Sequence, residues 1–286
     1  MASSERELPP QRLAAVIGSP VAHSLSPAIH RAAFAAAGVD WSYVAFDVEP
    51  GSAGEALAAM RTLGIGGLSV TMPHKTDVAR LVDRLDPAAA ALHTVNTVSW
   101  EGDQLVGSST DGAGFVASLA DAGVEAAEAR VAVIGAGGAA RSVIDALARA
   151  GAPDITVLNR SRDRAEQAAA LAPTATVGIV SDISRADIVV NATSVGMGVD
   201  PSDAGHGDLP CSPDLLREGQ VVADLVYHPL ETAWMQRAGD LGATTIDGLG
   251  MLVHQAALQQ RIWLGDDAVV DTVAMRRAAE AALAGS

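Results

Sequence analysis

VAVIGAGGAAR, residues 131–141, is the stretch whose reading decides the fold of this chain. An apolar, β-forming run enters Gly135, Ala136, Gly137 and Gly138, and a helix-forming run from Ala139 to Ala150 follows at once. Strand, tight glycine turn and helix, in that order, form the phosphate-cradling element of a dinucleotide-binding fold. Gly135 permits the turn, and Gly137 lets the backbone approach a pyrophosphate. Ala140 takes the third slot, where a small side chain allows helix and strand to pack closely. The helix N-terminus then offers unpaired N–H groups and a positive dipole end to an anion.

The next strand, ITVLN (155–159), bears on which dinucleotide is bound. An NAD site usually carries an acid there, bonded to the ribose 2′-hydroxyl. This chain has Asn159, Arg160 and Ser161, followed by Arg162 and Arg164. Guanidinium groups grip phosphate in a bidentate fork, so the pattern favours the 2′-phosphate of NADP. The alternative is a solvated helix start, but cations in a first helical turn are unfavourable without an anion.

A length of 286 residues fits two domains of ordinary size. Much of the 49% hydrophobic content is alanine, and no run of about 18 apolar residues lacks a charge, which argues against a spanning helix. The N-terminal MASSERELPPQR has no signal-peptide core and reads as a short loose tail. A single cysteine, Cys211, rules out an internal disulfide or a cysteine metal cluster and fits a reducing cytoplasm. The seven histidines show no metal-ligand spacing, so no metal is expected. A formal charge of −15 repels phosphate backbones, which excludes nucleic acid as a partner and leaves a small molecule, with no membrane. A monomer or a homodimer is expected.

Ahead of the glycine turn, strand-like and helix-like segments alternate. Strands are expected at 13–18, 41–48 and 66–72, with helices from Ser26 to Ala37, at 55–64 and near 76–85. TVNTVSW and QLVGSS read as two short strands joined by Glu101-Gly102-Asp103, and residues 110–123 as a connecting helix. Later strands are expected at 187–193, 220–227 and 243–247, a loop at 198–213, and two closing helices that return to the first domain. The pattern is α/β, with mostly parallel sheets: an N-terminal α/β domain followed by a Rossmann-type nucleotide unit that runs to about residue 245.

Several polar residues sit where strands end. Ser24 and Ser26 follow the first strand, and two hydroxyls beside a helix start suit a carboxylate. Helix capping by Ser26, with Pro27 in the first turn, accounts for Ser26 but not for Ser24. VTMPHK puts Thr71 and Lys75 at the C-terminal end of a central strand, where open α/β sheets bind ligands. Asn96 interrupts β-branched neighbours and needs partners if buried. Asp111 either caps the connecting helix or serves a site, and Gln255 lies mid-helix, facing packed surface or a cleft.

GSPVAHSLSPAIH, GLSVTMPHK, VNT, STDGAGF, GAGGAAR, NRS, NATSVGM, DLVYHP and DGLGMLVHQ, in this order over residues 17–255, resemble the shikimate dehydrogenase family. The resemblance implies NADP-dependent, reversible reduction of 3-dehydroshikimate to shikimate on the chorismate route to aromatic amino acids. It implies that Ser24 and Ser26 hold the substrate carboxylate, that Thr71, Asn96, Asp111 and Gln255 bond ring hydroxyls, and that Tyr227 closes over the substrate. Lys75 and Asp111 are the implied catalytic pair. The implied cofactor contacts are Gly135, Ala136, Gly137, Gly138 and Ala139 at the pyrophosphate and Asn159, Arg160 and Arg164 at the adenosine phosphate. Met197 and Met251 are implied beside the nicotinamide pocket, with Thr193 and Gly248 as further cofactor contacts. The resemblance also implies a substrate domain of residues 1–111 completed by 247–286, with the NADP-binding domain (112–246) between.

Two positions depart from the family pattern: Ser69 stands where asparagine is common in G-x-N-V-T, and Ser109 where it is common in D-N-T-D. Both are small and polar, so hydrogen bonding with shorter reach is expected to survive. They keep open a quinate/shikimate dehydrogenase paralogue acting on a related cyclic hydroxy acid. The serine pair and Arg160 resemble the shikimate enzymes instead, since quinate-using relatives often carry threonine at the second serine and an acid in place of the arginine. A non-catalytic NADP-binding sensor would need neither Lys75, Asp111 nor the serines.

Overall fold

The computed structural model describes residues 12–285, and they divide into two compact units. One comprises the described residues up to Asp86, His93–Ser108 and those from Gln259 on; the other comprises Pro87–Leu92 and Ser109–Leu258. The expected N-terminal tail lies outside the described residues except for Arg12, which opens the first strand. Relative to the boundaries read from sequence, residues 87–92, 109–111 and 247–258 group with the second unit.

The first unit is built on β1 (Arg12–Gly18), α1 (Ser26–Ala37), β2 (Trp41–Asp47), α2 (Ala53–Leu63), β3 (Gly67–Val70), α3 (Lys75–Leu81) and β4 (Arg84–Leu85). After α4 (Pro87–Leu92), which belongs to the second unit, it continues with β5 (Thr97–Glu101) and β6 (Gln104–Ser108). Helix α1 spans the expected residues because Gly38, at φ 65°, ends it in the left-handed region that glycine tolerates. The six strands run in the order β2-β1-β3-β5-β6-β4. The sheet is mostly parallel, as expected; β5 alone is reversed, because the β5–β6 hairpin sets it antiparallel to β3 as well as to β6. Reversal of β5 is what carries its first residues to the C-terminal edge of β1 and β3. The expected helix over 76–85 stops at Leu81. The Asp83 N–H and carboxylate bond the Leu105 carbonyl (3.0 Å) and N–H (2.6 Å), and β4 pairs with β6, so strand pairing overrides helix propensity.

The second unit carries α5 (Asp111–Asp121), β7 (Arg130–Ile134), α6 (Gly138–Arg149), β8 (Asp154–Leu158), α7 (Arg162–Ala169), β9 (Ala175–Val177) and β10 (Ile188–Asn191). It ends with β11 (Val221–Asp224), α8 (Ala233–Asp240), β12 (Thr244–Ile246) and the first part of α9 (Gly248–Leu264). The end of α9 and α10 (Thr272–Ala284) belong to the first unit. Strands β9 and β4 and helices α4 and α8 are short elements that the pattern of residue types did not mark.

All six strands of the second sheet are parallel, in the order β12-β11-β10-β7-β8-β9. This is the doubly wound arrangement, with the order reversing between β7 and β10, where such sheets bind ligands. Register places Ile134 beside Leu158 and Asn191, and Asn191 beside Asp224, so four strands end level. Apolar side chains from α5, α6, β7 and β8 form one core on this sheet, and Trp234 with Leu209, Val189 and Val222 forms another.

Candidate active site

In the second unit, the glycine turn stands at the level ends of the strands. Gly135 has φ 122°, and a Cβ there would come within 2.9 Å of the Ala192 carbonyl oxygen, so both conformation and space require glycine. Gly137 caps α6 in extended backbone, and a side chain at Gly137 or Gly138 would meet nothing within 4 Å. Helix α6 has no side-chain cap bond and no acid in its first turn, while Ala140 is fully buried against the strands. Exposed Gly137, Gly138 and Ala139 therefore present uncapped N–H groups to open space, a cradle that fits a pyrophosphate.

Asn159 begins the turn after β8 and donates from Nδ2 to the Ser161 carbonyl at 2.9 Å. Ser161 caps α7 by accepting from the Arg164 N–H. Arg162, expected to be available to an anion, instead pairs with Glu166 at 2.8 Å. Arg160 and Arg164 are exposed and form no ion pair among the described residues, which leaves both guanidinium groups available to an anion.

Across the switch point, Thr193 follows β10, its N–H and hydroxyl both donating to Asn191 Oδ1 at 3.1 and 2.7 Å. Met197 is 53% exposed, a large apolar group left facing open space. Tyr227 follows β11 half-buried, and burial raises its hydroxyl above the usual range. Gly248 opens α9 under the Leu225 carbonyl, which a Cβ would overlap, and Met251 packs partly buried against the apolar core.

Asp111 is the first residue of α5, with Thr110 in the cap position, so it does not serve as the expected N-cap. Gly114, one turn on, allows α5 to approach α9: a Cβ there would lie 2.6 Å from the Gln255 backbone nitrogen. Gln255 is buried in α9 and donates from Nε2 to the Leu252 carbonyl at 2.9 Å. Asp111 and Gly114 share a helical face, so Asp111 stands on the side of α5 that meets α9 at Gln255.

In the first unit, five expected site residues gather at the C-terminal edge of β1 and β3. Ser24 lies in the turn after β1 and Ser26 opens α1, with the Ser26 N–H donating to Ser24 Oγ at 3.3 Å. The cap position of α1 is Leu25, so Ser26 is not a side-chain cap. Thr71 follows β3 and donates from its N–H to the Ile17 carbonyl at 2.9 Å. Lys75 begins α3, and its carbonyl accepts from the Val95 N–H at 3.0 Å. The preceding His74 is fully buried and bonds through Nε2 to the Val48 carbonyl at 2.7 Å, which anchors the 71–75 turn to the end of β2. Asn96 is buried, and its carbonyl accepts from the Val70 N–H at 2.7 Å.

Beneath this edge lies a polar chain that the sequence did not mark as a unit. The Tyr43 hydroxyl donates to Ser69 Oγ at 2.6 Å, and Ser69 donates to Gln259 Oε1 at 2.6 Å. Gln259 Nε2 reaches the Asn96 carbonyl at 3.1 Å, and His30 Nε2 lies 3.0 Å from Gln259 Oε1. Burial holds His30 down at about 3, against its Gln259 bond, so the ring is neutral and donates. Buried glutamines in an apolar helix were the one available signal, since such groups need partners.

The chain also matches known proteins along its length. Residues 16–98 match the family described as shikimate dehydrogenase substrate binding domain, 118–199 that of shikimate/quinate 5-dehydrogenase, and 248–280 that of the shikimate 5′-dehydrogenase C-terminal domain. The NADP(+) shikimate dehydrogenase of Moorella thermoacetica is 44% identical over 269 residues, 90% of each chain. The shikimate 5-dehydrogenase of Thermus thermophilus, solved with NADP(H) and shikimate, is 35% identical with a TM-score of 0.86 over 95% of this chain and 99% of its own. A ligand-free 5-ketofructose reductase of Gluconobacter reaches 0.86 at 34% identity, over 95% of this chain and 98% of its own. From the glycine turn outward, sequence and fold agree, and the chain belongs to the shikimate dehydrogenase family.

Proposed function

We infer that this chain catalyses the reversible NADPH-dependent reduction of 3-dehydroshikimate to shikimate, a step towards chorismate. One observation carries the reading: in a chain of this family, Ser24, Ser26, Thr71, Lys75 and Asn96 share one sheet edge in the first unit. The uncapped glycine turn and the exposed guanidinium groups of Arg160 and Arg164, which form no ion pair among the described residues, support NADP as the dinucleotide.

Bound NADPH supplies the hydride; the protein supplies position and charge. Ser24 and Ser26 donate hydroxyl protons to the substrate carboxylate, while Thr71, Asn96, Asp111 and Gln255 orient the ring hydroxyls. Lys75 stabilises negative charge developing on the C3 oxygen and exchanges its proton, with Asp111 as its partner. Tyr227 excludes water from the substrate. Gly135 to Ala139 would hold the pyrophosphate and Asn159, Arg160 and Arg164 the adenosine phosphate, while Met197 and Met251 would lie beside the nicotinamide pocket, with Thr193 and Gly248 as further cofactor contacts. Residues 1–111 with 247–286 serve as the substrate domain and 112–246 as the NADP domain.

The enzyme works in the cytoplasm as a monomer or homodimer, without nucleic-acid or membrane partners. The net charge of −15 supports the former exclusion. Free Cys211, whose thiol burial raises to about 11, suits a reducing compartment. Among the described residues, no helix is long and apolar enough to cross a membrane.

Absorbance of the reduced cofactor, followed with shikimate and quinate each paired with NADP and NAD, tests the reading. Shikimate with NADP should be the fastest pairing. Faster turnover of quinate, or no turnover in any pairing, would overturn it.

A further inference from the structure

Asp224 closes β11 with 1% exposure, and its carboxylate has no cationic partner among the described residues. A carboxylate buried in this way costs free energy unless its lone pairs are met, and an apolar core is often the more stable alternative. Here three donors converge on it. Oδ1 accepts from Asn191 Nδ2 at 2.8 Å and from the Val226 N–H at 3.0 Å, and Oδ2 accepts from the Thr232 hydroxyl at 2.8 Å. Burial still pushes the group up to about 6.

Each donor shapes a different piece of backbone. Asn191 uses its other atom, Oδ1, to hold the Thr193 N–H and hydroxyl, and Thr193 Oγ1 accepts from the Val195 N–H at 3.1 Å. The turn that leads to Met197 is therefore built on a side chain that Asp224 orients. Val226 is the residue before Tyr227, so the same carboxylate sets the path of that loop as it leaves β11. Thr232 caps α8 through the Met235 N–H, which fixes where the loop ends. The Gly198 N–H donates to the His228 carbonyl at 2.8 Å, tying the two loops together, and Gly248 lies directly under the Leu225 carbonyl.

We propose that Asp224 is the positioning residue of the second unit: through Asn191, Val226 and Thr232 it holds the 192–198 turn and the 225–229 loop in one arrangement. It places Thr193 and Met197 on one side and Tyr227 on the other. This rests on the roles assigned to those three residues above. Asp224 touches neither substrate nor cofactor in this scheme. A shift of about 1 Å in such groups is enough to lose on the order of 100-fold in turnover.

Asp224→Ala and Asp224→Asn, compared with the wild-type chain, test the proposal. Asparagine keeps an acceptor for Asn191 and Val226 and presents N–H to Thr232 Oγ1, so it should restore what alanine removes. NADPH fluorescence titration should give one site per chain in both variants, with dissociation constants within about threefold of wild type, because the phosphates are held elsewhere. With alanine, kcat should fall about 100-fold and the enhancement of bound nicotinamide fluorescence by about half, while asparagine keeps both near wild type. Thr232→Val, which removes one arm only, should fall between them.

An alanine variant with wild-type kcat and fluorescence, or an asparagine variant as impaired as alanine, would overturn the proposal. So would a loss of kcat matched by an equal loss of NADPH sites, which marks a purely structural residue. If wild type binds NADPH but does not reduce 3-dehydroshikimate, the assigned reaction fails, and the fluorescence comparison still decides the role of Asp224.

Discussion

Ser69 Oγ donates its single proton to Gln259 Oε1 across 2.6 Å while accepting the Tyr43 hydroxyl proton at the same distance. The serine that stands where asparagine is common is thus committed to the core, 5% exposed, rather than directed at a ligand with shorter reach. Its two bonds link β2, β3 and α9 beneath the edge where Thr71 and Asn96 lie.

Ser69→Ala should leave the buried Tyr43 hydroxyl without its acceptor. Such an orphaned group costs about 1–3 kcal/mol, and the unfolding midpoint in urea should move down accordingly. An unchanged midpoint would mean that Tyr43 finds another acceptor.

His30 ties acid stability to the same cluster. Its folded value of about 3 lies below its ordinary 6.5, so the unfolded chain binds the extra proton between those limits. Stability from keeping His30 neutral is fully present above 6.5 and is lost as pH falls towards 3. His30→Asn should flatten the decline in that window by roughly 1.4 kcal/mol per pH unit. Equal slopes in denaturant melts of the two proteins would refute this.

Lys75→Ala should lower kcat by about 10²- to 10⁴-fold with little change in KM, as loss of acid–base catalysis does. Steady-state rates with shikimate and NADP decide it, and a variant with wild-type turnover would remove Lys75 from the chemistry.

Arg160→Asp should turn cofactor preference from NADP towards NAD, because a carboxylate repels the 2′-phosphate and accepts from a 2′-hydroxyl. The ratio of kcat/KM for the two dinucleotides is the measurement. If it does not move, Arg164 or Asn159 carries the phosphate alone.

Gly114→Ala should force α5 away from the Gln255 backbone, since the new methyl would lie 2.6 Å from its nitrogen. Overpacking of this kind costs about 1–3 kcal/mol. The variant should melt earlier and show a raised KM for shikimate; wild-type values of both would show that the helices part without consequence.

Much of the architecture is legible along the chain because its signals are local. The turn at Gly135 needs a positive φ, Gly38 stops α1, and the apolar runs ending at Ile134, Leu158, Asn191 and Asp224 are the buried strands of a parallel sheet. The residues of the proposed site are legible for a similar reason, since polar groups stand out where apolar strands end. Local patterns failed where long-range pairing took over: β4 forms inside an expected helix because β6 lies beside it.

Sequence by itself determined that this chain builds a dinucleotide cradle and which residues end its strands, because strand, turn and helix preferences are set within a few neighbouring positions. Only the tertiary structure decided that Asn96 joins Ser24, Thr71 and Lys75 at one edge, through the reversal of β5. It alone decided that Ser69 answers to Tyr43 and Gln259, and that Asp224 gathers three donors. A buried polar group must take whichever partners the packed segments bring to it, and Tyr43, Gln259 and Asn191 all come from other elements of the fold.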